Sequence, residues 1–430
     1  MTQATAPLAA PATDNNLVMR RRIALTMLFL VGTINFVDRQ LLSILVEPVR
    51  AELDFTDTQF GLLTGLAFAL FYAAMGVPVA MLADRWNRVK LIGIACVVYS
   101  GFTMACGMVS NFWQLALMRF GVGAGEAGGT APSLSVLADY YPPAERPFAI
   151  GLLTLNGPFG VFVGAAFGAW AAANIGWRGA FMVIGAIGMA FVPIMLWLVR
   201  EPARGQMDKE KMADEAISFS QSLALFIRRR SLRLLLIGSA LAAFVSYGML
   251  NWIPAFLMRT QKMPLEAMAT YYAPAAGITF GIGILGGGWL VSQRAKISPR
   301  AYGSIPALAS LLLIPTFIMA LMADSWQMSL ALLLIPMAAC TVYVPPALAL
   351  VQNLTPPRSR ATAAALLLLV FNIIGLGMGP VFTGVLSDML KASFGDDSLR
   401  FALIGLVPFA AAAGIAQFSM TRHLDRDFAE

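Results

Sequence analysis

Apolar runs about twenty residues long recur along almost the whole chain, and a run of that length crosses roughly 30 Å of hydrocarbon as a helix rising about 1.5 Å per residue. The runs are continuous and rich in Leu, Ala, Gly, Met and Phe, without the alternation of a barrel strand. Only helices can then satisfy the backbone hydrogen bonds inside lipid. Composition agrees, since 58% of the residues are hydrophobic and 12% charged, about half the charged share of an ordinary soluble protein. The expected fold class is all-α integral membrane, with twelve spans near 23–46, 59–83, 89–109, 112–138, 147–173, 177–199, 231–257, 266–292, 301–323, 326–350, 361–389 and 400–420.

The net charge of +7 has to be read by position. With the N-terminus inside, 22 of the 30 Lys and Arg fall in cytoplasmic segments, 6 in periplasmic ones, and Arg39 and Arg119 lie within spans. The positive-inside rule thus places both termini in the cytoplasm, in a bacterial-type inner membrane. Arg20 to Arg22 and Arg228 to Arg230 read as anchors to anionic membrane lipid, and no nucleic-acid partner is expected. Cys96, Cys106 and Cys340 fall inside spans without metal-ligand spacing and read as packing residues. An enzyme is disfavoured, because the lone His423 sits in the tail and no nucleophile, zinc or phosphate-loop set is present. GVGAGEAGG (Gly121 to Gly129) mimics a dinucleotide loop, but no strand precedes it, and small residues in an apolar helix serve close helix crossing instead.

The charged stretch from Arg200 to Arg230 divides the spans six and six. The expected organisation is a disordered cytoplasmic N-terminus (1–19), a first six-helix bundle (20–199), a cytoplasmic linker (200–230), a second six-helix bundle (231–421) and a cytoplasmic tail (422–430). The first span contains Asp38, is too long for a signal-peptide core, and is expected to be retained. A short amphipathic helix over Ala213 to Phe226 is expected on the membrane surface. Pro142, Pro143 and Arg146 before the fifth span recur as Pro356, Pro357 and Arg360 before the eleventh, at a constant offset of 214. Such a repeat points to halves of common origin. Two six-helix halves joined by a cytoplasmic loop are the layout of the major facilitator fold, whose bundles rock about a site at mid-membrane.

Asp38 and Arg39 lie in the first span, Arg119 and Glu126 in the fourth. Each would cost about 2.5–3.5 kcal/mol facing lipid, so they must face protein or water. Asp38 and Arg119 are both roughly 10–12 Å below the outer surface at 1.5 Å per residue, deep enough to pair. Seven residues return Glu126 to nearly the face of Arg119, which predicts an acid, base, acid column with Arg119 shared by the two carboxylates. The column is either a buried network fixing helix packing or a proton relay. In the relay reading Glu126 carries the proton, while Arg119 holds Asp38 ionised and attracts an anionic substrate. The second half offers Tyr247, Asn251, Trp252, Tyr343, Phe371 and Asn372 as an uncharged wall that suits an apolar tail or simply packs. Gly with Pro in NGPFGVFVG (Asn156 to Gly164) and GLGMGP (Gly375 to Pro380) predicts kinks or close crossings.

LADRWNRVK (Leu82 to Lys90) resembles the cytoplasmic signature of the major facilitator superfamily. That resemblance implies that Asp84 engages the N-terminal end of the eleventh helix and helps latch an outward-open state. Arg85, Arg88, Arg146 and Arg360 join it as expected gating residues. SQRAKISPR (Ser292 to Arg300) keeps the Arg but lacks the Asp, so the latch is one-sided. NFVDRQLLSIL (Asn35 to Leu45), FWQLALMRFGVGAGEAG (Phe112 to Gly128), DYYPPAERPFAIG (Asp139 to Gly151) and REPARG (Arg200 to Gly205) resemble the spinster family, whose members carry lysophospholipids or sphingosine phosphate. It implies proton coupling at Asp38, Arg119 and Glu126 and head-group contact at Arg39, Arg119 and Glu126. The implied protein is a monomeric carrier of an amphipathic lipid, with the proton as coupling ion and no other cofactor. The charged set is also similar to that of proton-coupled organic-anion and sugar-acid symporters, the alternative reading. A non-transporting sensor on the same fold is the alternative of another class.

Overall fold

The computed structural model describes residues 15–142, 145–207, 219–355 and 360–429. Nine stretches of continuous helix among them are long and apolar enough to cross a membrane. One of these, Thr362–Phe428, holds two passes divided at Gly395–Asp397, where Gly395 takes φ +55°. The two helices that carry buried charge, Asn15–Ile44 and the pair Phe112–Glu126 and Thr130–Tyr140, complete a set of twelve.

In chain order these are α1 (Asn15–Ile44), α2 (57–85), α3 (Arg88–Cys106), α4 (112–140), α5 (146–174) and α6 (Gly176–Leu198) in the first half. The second half holds α7 (Arg230–Arg259), α8 (265–295), α9 (Ala301–Leu321), α10 (326–354), α11 (360–394) and α12 (398–429). Chain starts and stops are set by local chemistry. Thr56 and Gln59 form a reciprocal capping box at the start of α2, and the Asn87 and Asn111 side chains accept the Lys90 and Gln114 N–H groups at the starts of α3 and α4. Each such cap satisfies a donor that the helix itself leaves unpaired. The C-terminal carbonyls of α2 are met by Arg204, whose Nη2 donates to Ala83 O (2.6 Å) and Trp86 O (2.7 Å).

Two helices extend beyond their apolar runs. Residues 15–19, expected to be disordered, are the first turns of α1, which runs on through Arg20 to Arg22, and α12 continues to Ala429. Hydropathy marks where lipid ends, whereas a helix ends only where its backbone bonds do. The expected amphipathic helix is present as Phe219–Arg228, its earlier part, 213–218, lying outside the described residues. Phe226 anchors it in a second-half core with Leu232, Leu235, Leu354 and Leu366.

Of the two segments where Gly with Pro predicts kinks or close crossings, the first is preceded by a break of α5 at Leu155; α4 and α10 also break, at 127–129 and 340–343, where the sequence reading predicts no kink. α11 contains a π-helical stretch, Phe371–Met378, a distortion that concentrates at functional positions. The halves meet along α1 with α7, α2 with α11 and α5 with α8. In α2, a Cβ on Gly61 would sit 2.6 Å from Pro380 O, and one on Gly65 2.5 Å from Gly377 O, so the two backbones touch at this crossing. Within the first half, a Cβ on Gly164 would lie 2.9 Å from Gln40 Cβ and 3.0 Å from Val37 Cα of α1. Gly164→Val is therefore expected to cost about 1–3 kcal/mol by overpacking and to lower the melting temperature of detergent-solubilised protein. An unchanged melting curve would show that α1 and α5 can part there freely.

Candidate functional site

Asp38 and Arg39 are neighbours on α1, so their side chains leave the helix about 100° apart and enter different surroundings. Asp38 points into the first half. Its Oδ2 accepts from Arg119 Nη1 at 2.9 Å and its Oδ1 from the Thr103 hydroxyl at 2.8 Å, with the Asp38 and Arg119 side chains 1% and 2% exposed. Arg39 points toward the interface between the halves, and its Nε donates to Glu126 Oε2 at 2.6 Å. Its guanidinium also lies over the rings of Phe68, Tyr72 and Phe36, at 4.8, 5.3 and 5.6 Å from their centroids.

The expected column thus differs in one link. Arg119 holds Asp38 as the depth argument required, but Glu126 takes Arg39 in place of a shared Arg119. One guanidinium cannot keep good geometry to carboxylates two helical turns apart, and Arg39 supplies the second cation. Two polar atoms are left over in the buried set, Glu126 Oε1 and Arg119 Nε. Arg39 alone among the four charged side chains keeps substantial exposure, at 21%.

Arg39 and Arg119 line a narrow chamber between the halves together with Phe36, Gln40, Ser43, Thr64 and Phe68 of the first half and Tyr247, Leu250, Asn251 and Leu376 of the second. Free space there is about 30 Å³, enough for one or two waters. Tyr247 and Asn251 of the expected second-half wall do face the chamber. Asn251 also spans the two halves, its Oδ1 accepting from the Ser43 hydroxyl at 3.1 Å. Trp252 is turned one residue further round α7, fully buried, with Nε1 donating to Pro380 O at 2.8 Å and its ring edge-on to Phe60. Tyr343 and Phe371 pack edge-on at 5.4 Å in the second-half core, and Asn372 is half-buried on the π stretch of α11. These three and Trp252 lie outside the chamber lining.

The end of the bundle opposite the termini is sealed by ion pairs that the sequence reading did not find. Asp57, buried at the start of α2, receives Arg259 Nη1 (2.6 Å) and Nη2 (2.9 Å) from the second half, Arg50 Nη1 (2.9 Å), and the Ser387 hydroxyl (2.7 Å). Arg259 also reaches Glu47 through Nε and Nη2, at 3.0 and 2.8 Å. Charges at helix ends look like ordinary interfacial residues in a sequence, which hides a network formed only when two halves meet.

At the other end, the described hydrogen bonds of Arg88 and Arg146 join residues of the first half and the segment after it. Arg88 is buried and donates to Asp139, Glu201 Oε1 (2.7 Å), Ser135 Oγ (2.9 Å) and Pro202 O (3.1 Å), tying α3 and α4 to the segment after α6. Arg146 donates to Ala138 O and Tyr141 O at 2.9 and 3.0 Å, and Arg85 is exposed. The side chains of Asp84 and Arg360 lie outside the described residues, as do Pro143, Pro356 and Pro357 of the repeat.

The family described as Major Facilitator Superfamily matches residues 28–380. The chain is similar to an MFS-type efflux pump of Mycolicibacterium smegmatis, 32% identical over 406 residues and covering 94% of each. It is similar to a probable L-galactonate transporter of Escherichia coli, 26% identical, covering 93% of this chain and 89% of that one. Among solved structures it is similar to a bacterial homologue of the human lysosomal transporter Spinster in an inward-facing, unoccupied conformation. The TM-score there is 0.86 and the identity 30%, over 95% of this chain and 98% of that one.

Proposed function

The chain belongs to the major facilitator superfamily of membrane transporters, and from that premise we propose that it moves an amphipathic lipid by proton-coupled alternating access. The substrate class is anionic or zwitterionic, of lysophospholipid or sphingosine-phosphate type. The observation that carries this reading is an apolar groove of about 660 Å³ beside the charged chamber. Leu25, Phe29, Leu155, Phe159, Phe162 and Ile278 line it where α1, α5 and α8 adjoin, and Phe159, Phe162 and Ile278 are exposed on the lipid-facing surface. The two adjoin the same stretch of α5: a Cβ on Gly157, next to the groove residues Pro158 and Phe159, would lie 3.3 Å from the Phe280 ring and 3.4 Å from that of Phe36, which lines the chamber. A head-group anion beside Arg39 can therefore extend its chain sideways toward the bilayer, as an amphipathic substrate requires.

With both termini cytoplasmic, as the charge bias favours, the sealed end is the outer one, and the proposed carrier works as a monomer. Arg39 exchanges its partner in the proposed cycle. An incoming anion draws the guanidinium away from Glu126, and the carboxylate, buried and newly unpaired, accepts a proton because an isolated buried charge is costly.

A second reading has its own support. Two guanidinium groups lining one tight chamber also suit a small carboxylate, and one relative is named as a probable L-galactonate transporter. Flux of a labelled lysophospholipid and of a labelled sugar acid into proteoliposomes, each with an imposed proton gradient, separates the two. Accumulation of the lysolipid alone is expected. Accumulation of the sugar acid alone would replace the lipid reading, and movement of neither would favour a sensor.

A further inference from the structure

We propose that Asp388 is the latch that holds the sealed end of the transporter shut, and that α2 swings away from α11 only after this carboxylate releases the first turn of α2. The proposal rests on the alternating-access reading. An α-helix leaves the N–H groups of its first turn without partners inside the helix. In α2 the Gln59 N–H is met by Thr56 Oγ1 at 3.2 Å, from its own chain segment. The two preceding donors are met from the other half of the molecule, with Asp388 Oδ1 accepting the Asp57 N–H at 3.1 Å and Oδ2 the Thr58 N–H at 2.7 Å. Both oxygens of a carboxylate are thus spent on the positive end of a helix that belongs to the opposite bundle, where its charge is favourable.

The face that delivers Asp388 is built for this contact. Gly384, Ser387 and Asp388 are spaced i, i+3 and i+4, which places them together on one side of α11. A Cβ on Gly384 would collide with the Asp57 carbonyl oxygen, and the Ser387 hydroxyl donates to Asp57 Oδ2. Further along the same crossing Gly61 and Gly65 of α2 meet the backbone of Pro380 and Gly377. The N-terminus of α2 is therefore fully capped only while the halves are closed at this end. Arg259 and Arg50 act on the Asp57 side chain, whereas Asp388 acts on the α2 backbone, so its contribution is separable from theirs.

Spin labels at Asn174→Cys in the first half and Ser393→Cys in the second, both exposed positions near the sealed end, report its opening by pulsed dipolar distance measurement on the full chain in proteoliposomes. The wild-type background should show a dominant short distance. Asp388→Ala is expected to raise the ratio of long to short distances about tenfold, the scale of a lost charge-assisted cap. Thr58→Pro deletes one of the two N–H donors in the first turn, where no bond within the helix is lost, and should move the ratio the same way by about threefold. Should Asp388→Ala fail to fold, Thr58→Pro decides alone. Wild-type distances in the variants, with the wild type itself switching under substrate or gradient, would overturn the latch and spare the transport reading. A wild type that moves solute while its sealed end never opens would remove alternating access and the latch together.

Discussion

Glu126→Gln is expected to abolish proton-driven accumulation while leaving solute exchange across the membrane intact. Glu126 is the most enclosed of the four charged groups, its side chain showing 0% exposure, and it has a single ionic partner in Arg39. Its second oxygen, Oε1, is buried without a hydrogen bond. A carboxylate in that position tolerates its charge only while Arg39 stays, since removing one member of a buried pair costs about 3–5 kcal/mol. The cation–π contacts and partial exposure of Arg39 allow it to remain in the chamber when it turns from Glu126 to a substrate anion. Gln preserves the shape of Glu126 and fixes it in the uncharged form, so Arg39 is free for substrate at every stage of the cycle. In proteoliposomes, gradient-driven accumulation should then fall to the level without a gradient, a loss of at least about tenfold for coupling worth 1.4 kcal/mol or more. Exchange of labelled for unlabelled solute should continue, and its rate should lose its dependence on pH. Accumulation by Glu126→Gln at the wild-type level would take the proton off this residue.

How far the sequence anticipated this site depends on which geometric quantity each residue needed. The Asp38 and Arg119 pair was legible because depth along a straight helix follows from residue count alone. The Arg39 and Glu126 pair was missed because it depends on the rotation of α1 about its axis, which packing against α5 and α6 decides. The same rotation separates Tyr247 and Asn251, one turn apart and facing the chamber, from Trp252, which lies 100° away and fills the crossing with α11. Had the phase of α7 been known, the sequence would have yielded that distinction too. Thr103 and Gln40 carried no signal, since a hydroxyl or amide in a membrane helix commonly bonds to its own backbone. Asp57, Arg259 and Asp388 were unreadable for another reason. Asp57 and Arg259 sit at helix ends and Asp388 within two turns of one, where charge is ordinary, and their significance comes from partners about 200 or more residues distant in the chain.

Arg259→Ala is expected to give the larger opening of the sealed end. Arg259 reaches both oxygens of Asp57 and also Glu47, and its side chain is 8% exposed against 2% for Asp57. Alanine would strand Asp57 with Arg50 and Ser387 as partners and return Glu47 to solvent. A broken buried pair is worth about 3–5 kcal/mol, and the lower figure is already a shift of roughly a hundredfold in the balance of closed and open states. Because Asp57 can regain water only by opening that end, the cost falls on the closed state and the population should move to the open one. Labels at Asn174→Cys and Ser393→Cys should therefore show mainly the long distance in the Arg259→Ala background, and net flux should fall because the return to the inward-facing state becomes rare. Arg259→Lys keeps the charge but loses the planar fork that grips Asp57, so it should lie between the two. If Arg259→Ala instead kept the short distance and merely lowered the melting temperature, these ion pairs would be part of the static packing of α2 and α7 and the gate would have to lie elsewhere.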